Sequence, residues 1–272
     1  MGHLSWERAT VDGRQALYAV AGEGPPVVLL HGWGLTHRTY RRVLSSLAHN
    51  GMQVWAPALP GFGGTPALPQ DELSLAGYAS WVVRFLDAVG LDAPVTLAGH
   101  SFGGGVAIRT AHDAPDRVAR LVCVNSIGGS AWTEERGAVR SLAQRPLWDW
   151  GLHLQADLLP WRQATRVLPV VLGDAVPNLV RNPGALWRVG HLARTADLTS
   201  ELEELKHRGL PVVVLWGKHD HVLPPASLAS LTRALGDPEV VTVNGKHSWL
   251  LSDPRAFGEL MTNVLGLVDD AA

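Results

Sequence analysis

One cysteine, Cys123, stands in 272 residues, so no disulfide forms within the chain, and a reducing, cytoplasmic compartment is expected. Cys123 lies in the apolar run Leu121–Val124, where a buried, inert thiol is expected rather than a nucleophile. Charge is scarce and balanced: charged residues make up 18%, with 23 basic against 25 acidic side chains. No basic stripe recommends nucleic acid as a partner, and no Lys/Arg block recommends an anionic membrane surface. Nowhere do about eighteen uncharged apolar residues run together, so no membrane span is expected. Met1–Ala9 carries Glu7 and Arg8 and lacks the charged-then-apolar pattern of a signal peptide. What the chain does have is 46% hydrophobic residues over a length that builds a substantial core, the composition of a compact globular protein.

The densest signal is Val95–Gly105, Val-Thr-Leu-Ala-Gly-His-Ser-Phe-Gly-Gly-Gly. A strand-like run, Val95–Ala98, ends on Gly99; Ser101 follows, and Gly103–Gly105 lead into Val106–Ala111, which reads as a helix start. A G-x-S-x-G turn between strand and helix holds its serine in a strained backbone conformation and lifts the hydroxyl clear of the sheet. Gly99 and Gly103 bring no Cβ to the place where the arms of the turn meet. The Phe102 amide, at the first turn of the helix, would point at the oxygen of a substrate carbonyl and add the positive end of the helix dipole.

Around this turn the chain alternates. Leu4–Val11 and Gln15–Ala21 read as extended segments joined at Asp12-Gly13, a hairpin signal. Val27–Leu30 is wholly apolar, as a strand buried on both faces would be. It ends in His31-Gly32-Trp33-Gly34, where Gly32 and Gly34 permit a tight turn and the Trp33 amide is a candidate second oxyanion donor. His31 is expected to hold this loop by hydrogen bonding, and Thr36 to cap a helix over Arg38–His49. Gln53–Ala56 reads as a strand and Ser74–Val89 as a helix, with Leu75, Tyr78, Val82, Phe85, Leu86 and Val89 on one face. Strands separated by helical patterns indicate a parallel sheet with helices on both faces.

From about Ile127 to about His207 the alternation stops. Trp132, Trp148, Trp150, Trp161 and Trp187 and repeated prolines mark a set of short helices inserted at the carboxyl edge of the sheet, over Ser101. Such a lid implies a small-molecule substrate with an apolar portion. The sheet then resumes at Pro211–Gly217, with Asp220 four residues past Trp216 and a helix from about Pro225. Pro238–Val243 is the last strand; His247 follows it, ahead of a helix at about Asp253–Leu267 that Asp253 caps. Serine on an elbow, acid after a later strand and histidine after the last is the order that the elbow motif calls for.

These pieces together resemble the α/β-hydrolase fold superfamily, in its capped, lipase- and esterase-like branch of serine hydrolases. The matching stretches are His31–Gly34, Gly99–Gly104, Trp216–Asp220 with Pro224, and the His247 loop. The resemblance implies an α/β fold: a mostly parallel eight-stranded sheet with helices on both faces, a core of residues 1–126 and 208–272, and a helical cap over 127–207. It implies Ser101, Asp220 and His247 as a catalytic triad and the Trp33 and Phe102 amides as an oxyanion hole, with neither metal nor organic cofactor. Lys246 stands where relatives often carry Gly directly before the histidine.

Competing residues are weighed against this set. His219, Asp220 and His221 are adjacent on one loop, a poor spacing for one ion. His100 is expected to pack or hydrogen bond beside the site. Asn125, where some relatives place their acid, is an amide and cannot serve as one. Ser101 in place of a carboxylate, and a cap without tyrosine, disfavour epoxide opening and dehalogenation. Ester, thioester or lactone hydrolysis leads; carbon–carbon bond hydrolysis of a diketone-like ring-fission product, and a non-catalytic small-molecule receptor, stand behind it.

Overall fold

The computed structural model describes residues 3–129, 173, 180 and 183–267. An eight-stranded sheet runs through them in the order β1-β2-β4-β3-β5-β6-β7-β8. β1 (Ser5–Val11) and β2 (Arg14–Ala21) pair antiparallel, with Val11 opposite Arg14. That register leaves two residues for the turn, and Asp12 and Gly13 meet its demand with φ of 52° and 71°. β4 (Gln53–Pro57) is antiparallel to β2, and from there β3 (Pro26–Leu30), β5 (Val95–His100), β6 (Val118–Val124), β7 (Val212–Gly217) and β8 (Glu239–Val243) continue the sheet in parallel. Every residue of β5 is buried, which is why the run does not alternate between apolar and charged side chains.

Helices cover both faces. On one side α1 (Arg41–His49) buries Val43, Leu44 and Leu47 in a cluster shared with Trp249 of α7 (Trp249–Ser252) and with Phe257 and Met261 of α8 (Pro254–Leu265). On the other, α2 (Leu75–Ala88), α3 (Phe102–Asp113), α5 (Thr199–His207) and α6 (Pro225–Leu235) pack through Tyr78, Phe85, Ile108, Leu202 and Leu231. α4 (Pro183–Thr195) adds Val189 and Ala193 to this second cluster.

Ser74 caps α2 by accepting from Gly77 N–H at 3.0 Å. The expected Asp253 cap is present in the structure, accepting from Ala256 N–H at 3.1 Å ahead of Pro254. The expected Thr36 cap is not. Thr36 Oγ1 accepts from Arg38 N–H at 3.1 Å and closes a turn. Two further turns, Thr39 N–H to Thr36 O and Arg41 N–H to Arg38 O, occupy the chain before α1 begins at Arg41. Tyr40 at its N-cap makes no side-chain cap, because its hydroxyl is directed inward.

Of the range 127–207, Trp132, Trp148, Trp150 and Trp161 lie outside the described residues. Trp187, on α4, faces solvent at 63% exposure. α5, in the same range, packs as the crossover helix between β6 and β7, its Leu202 and Leu205 buried with α3 and α6. Among the described residues no helix is long and apolar enough to cross a membrane.

Because β3, β5, β6, β7 and β8 run parallel, the loops that leave them open at one edge. Trp33, Ser101, Asn125, Asp220 and His247 all lie there.

Candidate active site

Ser101 joins β5 directly to α3, with φ 55° and ψ −117°, a backbone region that residues other than glycine seldom occupy. The surroundings fix it. Its N–H donates to Val124 O at 3.0 Å, and its carbonyl accepts from Gly104 N–H at 3.0 Å and Ile127 N–H at 3.3 Å. A Cβ on Gly99 would run into the Gly103 carbonyl, so the two arms of the turn touch backbone to backbone. Gly103 faces elsewhere: a Cβ there would meet the carbonyls of Leu30 and His31 at the end of β3. The Phe102 amide stands at the first position of α3, where helical geometry offers it no acceptor, and its ring packs edge-on against Tyr78 at 5.2 Å.

Asp220 and His247 arrive from the loops after β7 and β8. His247 Nδ1 lies 2.8 Å from Asp220 Oδ2, both side chains almost wholly buried. A carboxylate only accepts, so Nδ1 carries the hydrogen and Nε2 is left as the basic nitrogen of the neutral ring. The second carboxylate oxygen, Oδ1, accepts from Val222 N–H at 2.8 Å and Leu223 N–H at 2.9 Å. Burial alone would push the Asp220 carboxyl up. The His247 ring and these hydrogen bonds outweigh burial and hold it below the usual carboxylate range.

A second histidine is wired into the same place. The His247 carbonyl can only accept, so His100 Nε2–H donates to it at 3.1 Å. His100 Nδ1 then accepts from the Tyr40 hydroxyl at 2.6 Å, whose oxygen takes Gly32 N–H at 3.0 Å. Burial, with His247 close by, pushes His100 down to about 3, so this ring stays neutral and links two loops without titrating near neutrality. His31 holds its loop as expected, with Nε2 accepting from Leu59 N–H at 2.9 Å. Trp33 donates its indole N–H to Leu186 O on α4 at 2.8 Å. Cys123 is buried, which pushes its thiol up to about 12.

Gly32, Trp33, His100, Ser101 and His247 line one cavity, together with Ala193 of α4 and Val222. The positions named from sequence are thereby brought together: Ser101 and His247 in the cavity, Asp220 behind the histidine. The Lys246 departure is accommodated by Gly245, whose missing Cβ leaves room for Trp249, while Gly217 lies against the Gly245 and Lys246 carbonyls. His219 hydrogen bonds Asn244 at 3.0 Å. Among the described residues no cluster of three or more potential ligands is placed to hold a metal.

A family model described as alpha/beta hydrolase fold matches residues 25–254. The chain belongs to the α/β-hydrolase fold family. Among relatives of this α/β-hydrolase-fold protein, an uncharacterised protein of Mycobacterium tuberculosis is 29% identical, the match covering 96% of this chain and 81% of that one. The dihydrolipoyllysine-residue acetyltransferase component of the acetoin cleaving system of Cupriavidus necator is 33% identical over 96% of this chain and 69% of its own. A pimeloyl-[acyl-carrier protein] methyl ester esterase of Aeromonas hydrophila is 27% identical over 90% of this chain and 97% of its own. The solved enol-lactonase from Burkholderia xenovorans LB400 superposes with TM-score 0.76 at 19% identity, over 96% of this chain and 100% of that one, and shares the α/β-hydrolase fold.

Two residues of this site are absent from the sequence-derived set. Tyr40 gave no signal, since nothing local ties it to His100. Asn125 Nδ2 donates to Asp220 Oδ2 at 2.6 Å; the signal available was a polar residue ending an apolar strand at the edge that carries Ser101 and Asp220.

Proposed function

We propose that the chain is a serine hydrolase that cleaves a carboxylic ester, thioester or lactone of a small molecule with an apolar portion. The observation that carries this reading is a histidine whose Nδ1 is held by a buried aspartate, in the same cavity as a strained serine. In this reading Ser101 Oγ attacks the acyl carbon while its proton passes to His247 Nε2. The carbonyl electron pair moves onto oxygen, and the Trp33 and Phe102 amides receive the oxyanion, each such donor stabilising the transition state by roughly 3–4 kcal/mol. Collapse expels the alcohol, thiol or lactone alkoxide, which takes the proton from His247. Water then gives a proton to His247 and a hydroxyl to the acyl carbon, and Ser101 leaves with the proton returned. Asp220 holds the ring in the needed tautomer and stabilises the imidazolium.

The cap expected over residues 127–207 is part of the same proposal, save for α5 at its end, which packs in the core between β6 and β7. The Trp33–Leu186 hydrogen bond and the place of Ala193 in the cavity support it, and the esterase from Aeromonas hydrophila supports an ester substrate.

The test is hydrolysis of a p-nitrophenyl ester series, acetyl to long acyl, by wild type, Ser101→Ala and His247→Ala. Turnover by wild type with a loss of several orders of magnitude in both variants sustains the reading, and the chain-length optimum sizes the acyl site. An inert wild type that a phosphonate still labels at Ser101 overturns the ester assignment and moves carbon–carbon bond hydrolysis ahead. Neither turnover nor labelling leaves a receptor.

A further inference from the structure

Asn125 follows β6 directly, is fully buried and holds φ at 41°. Its amide has only one workable orientation. Oδ1 accepts from Gly217 N–H at 3.2 Å and from the Trp249 indole N–H at 2.9 Å. Both groups can only donate, so the oxygen must face them and the NH2 must face Asp220. There Nδ2 donates at 2.6 Å to Oδ2, the oxygen that also receives His247 Nδ1–H at 2.8 Å. One side chain thus spans the end of β6, the residue that ends β7 ahead of Asp220, and the helix that opens just after His247.

We propose that Asn125 is a positioning residue for Asp220: its amide fixes the carboxylate plane so that Oδ2 lies on His247 Nδ1, and supplies a donor that keeps this oxygen anionic. The proposal rests on the serine hydrolase reading. Val222 and Leu223, the donors to Oδ1, belong to the same loop as Asp220 and move with it. Asn125 instead ties the carboxylate to the sheet. A residue that only filled space here would need neither a fixed amide orientation nor a hydrogen bond at each end.

The experiment compares full-length wild type, Asn125→Asp and Asn125→Ala: kcat and KM against pH on the best p-nitrophenyl ester, with thermal unfolding of each. In Asn125→Asp one carboxyl oxygen still accepts from Gly217 and Trp249, and the other meets Asp220 Oδ2. Two carboxyls in such contact share a proton. While they share it, the new O–H donates to Asp220 as the amide did, and kcat stays within about tenfold of wild type. Once that proton leaves, repulsion turns Asp220 off His247, and kcat falls along an alkaline limb that wild type lacks.

The titratable groups beside the new carboxyl are Asp220, which the amide contacts, and His247 on the same carboxylate oxygen; His100 bonds the His247 carbonyl, and Cys123 lies two residues back on β6. His100 at about 3 and Cys123 at about 12 lie outside the pH range scanned. Asn125→Ala has no proton to share: kcat falls about 100-fold at every pH, KM changes little, and no new limb appears.

Wild-type kcat in Asn125→Ala, or Asn125→Asp without the alkaline limb, overturns the proposal. So does a loss of kcat that tracks a lower melting temperature in both variants with the wild-type pH shape, which marks a packing residue. A wild type with neither turnover nor phosphonate labelling overturns the hydrolase reading, and the proposal falls with it.

Discussion

Asp12 and Ser101 turn the backbone through nearly the same φ, 52° and 55°, in corners that share little else. Asp12 sits in an exposed hairpin turn beside Gly13, whose missing Cβ would meet nothing within 4 Å. The two-residue turn demands the angle, and aspartate tolerates it. Ser101 is 8% exposed and takes its angle with ψ of −117°. Nothing local demands that. The bond from its N–H to Val124 O, the bond from Ile127 N–H to its carbonyl, and the contact of Gly99 with Gly103 hold it there. One corner is a consequence of chain connectivity, the other is imposed by neighbours, and only the second presents a side chain to a cavity.

The sharpest way to test that contrast is to remove each side chain in turn. Ser101→Ala should lower ester kcat/KM by about 10⁶-fold with a melting temperature within a few degrees of wild type, whereas Asp12→Ala should leave the rate unchanged.

Acid comes next, and it acts on the two neighbourhoods alike. Each has a buried histidine: His37 against Trp6 of β1 at 5.3 Å between ring centroids, and His100 at the elbow. Burial pushes both down to about 3 in the folded chain, against about 6.5 in the unfolded one. Below about pH 6.5 the unfolded chain takes up protons that the folded chain refuses, so stability present at neutral pH is lost as pH falls toward 3. Each ring contributes a slope of about 1.4 kcal/mol per pH unit. Urea unfolding between pH 7 and 5 should show it, and His37→Gln and His100→Gln should each remove one ring's share.

Backbone closeness gives a smaller contrast. Gly99→Ala should cost about 3 kcal/mol in urea unfolding, since the added methyl meets backbone on both arms of the elbow. Gly13→Ala meets open space and only the left-handed angle resists it, at about 1 kcal/mol. Smallest is the exposed Arg84–Asp12 pair, 2.7 Å apart; Asp12→Asn, which removes the charge and keeps a residue that tolerates the left-handed angle, should cost about 0.5 kcal/mol by the same measurement. Equal costs for the two glycine variants would erase the distinction between the corners.

How much was legible follows from what is local. Parallel strands buried on both faces must be apolar runs, so β3, β5 and β7 stand out from their residues alone, and Asp12-Gly13 dictates its own hairpin. The elbow announces itself because its glycines are consecutive in the chain. Thr36 misled, because a threonine ahead of a helical pattern serves a turn as readily as a cap. Asn125 and Tyr40 were hidden for a different reason: their partners lie 95 and 60 residues away, and no periodicity encodes which buried polar groups meet. The sequence could exclude Asn125 as an acid. It could not show that the amide faces the acid that Asp220 supplies.

The His100 to His247 hydrogen bond closes a span of 147 residues, and β8, which leads to His247, is an edge strand held on one side by β7. Contacts of such long range are slow to form, since the loop between them must first be closed. An intermediate whose sheet stops at β7 has the elbow but no base. On the proposed chemistry, hydrolysis therefore begins only when the sheet is complete, and the appearance of activity during refolding times the docking of the final strand.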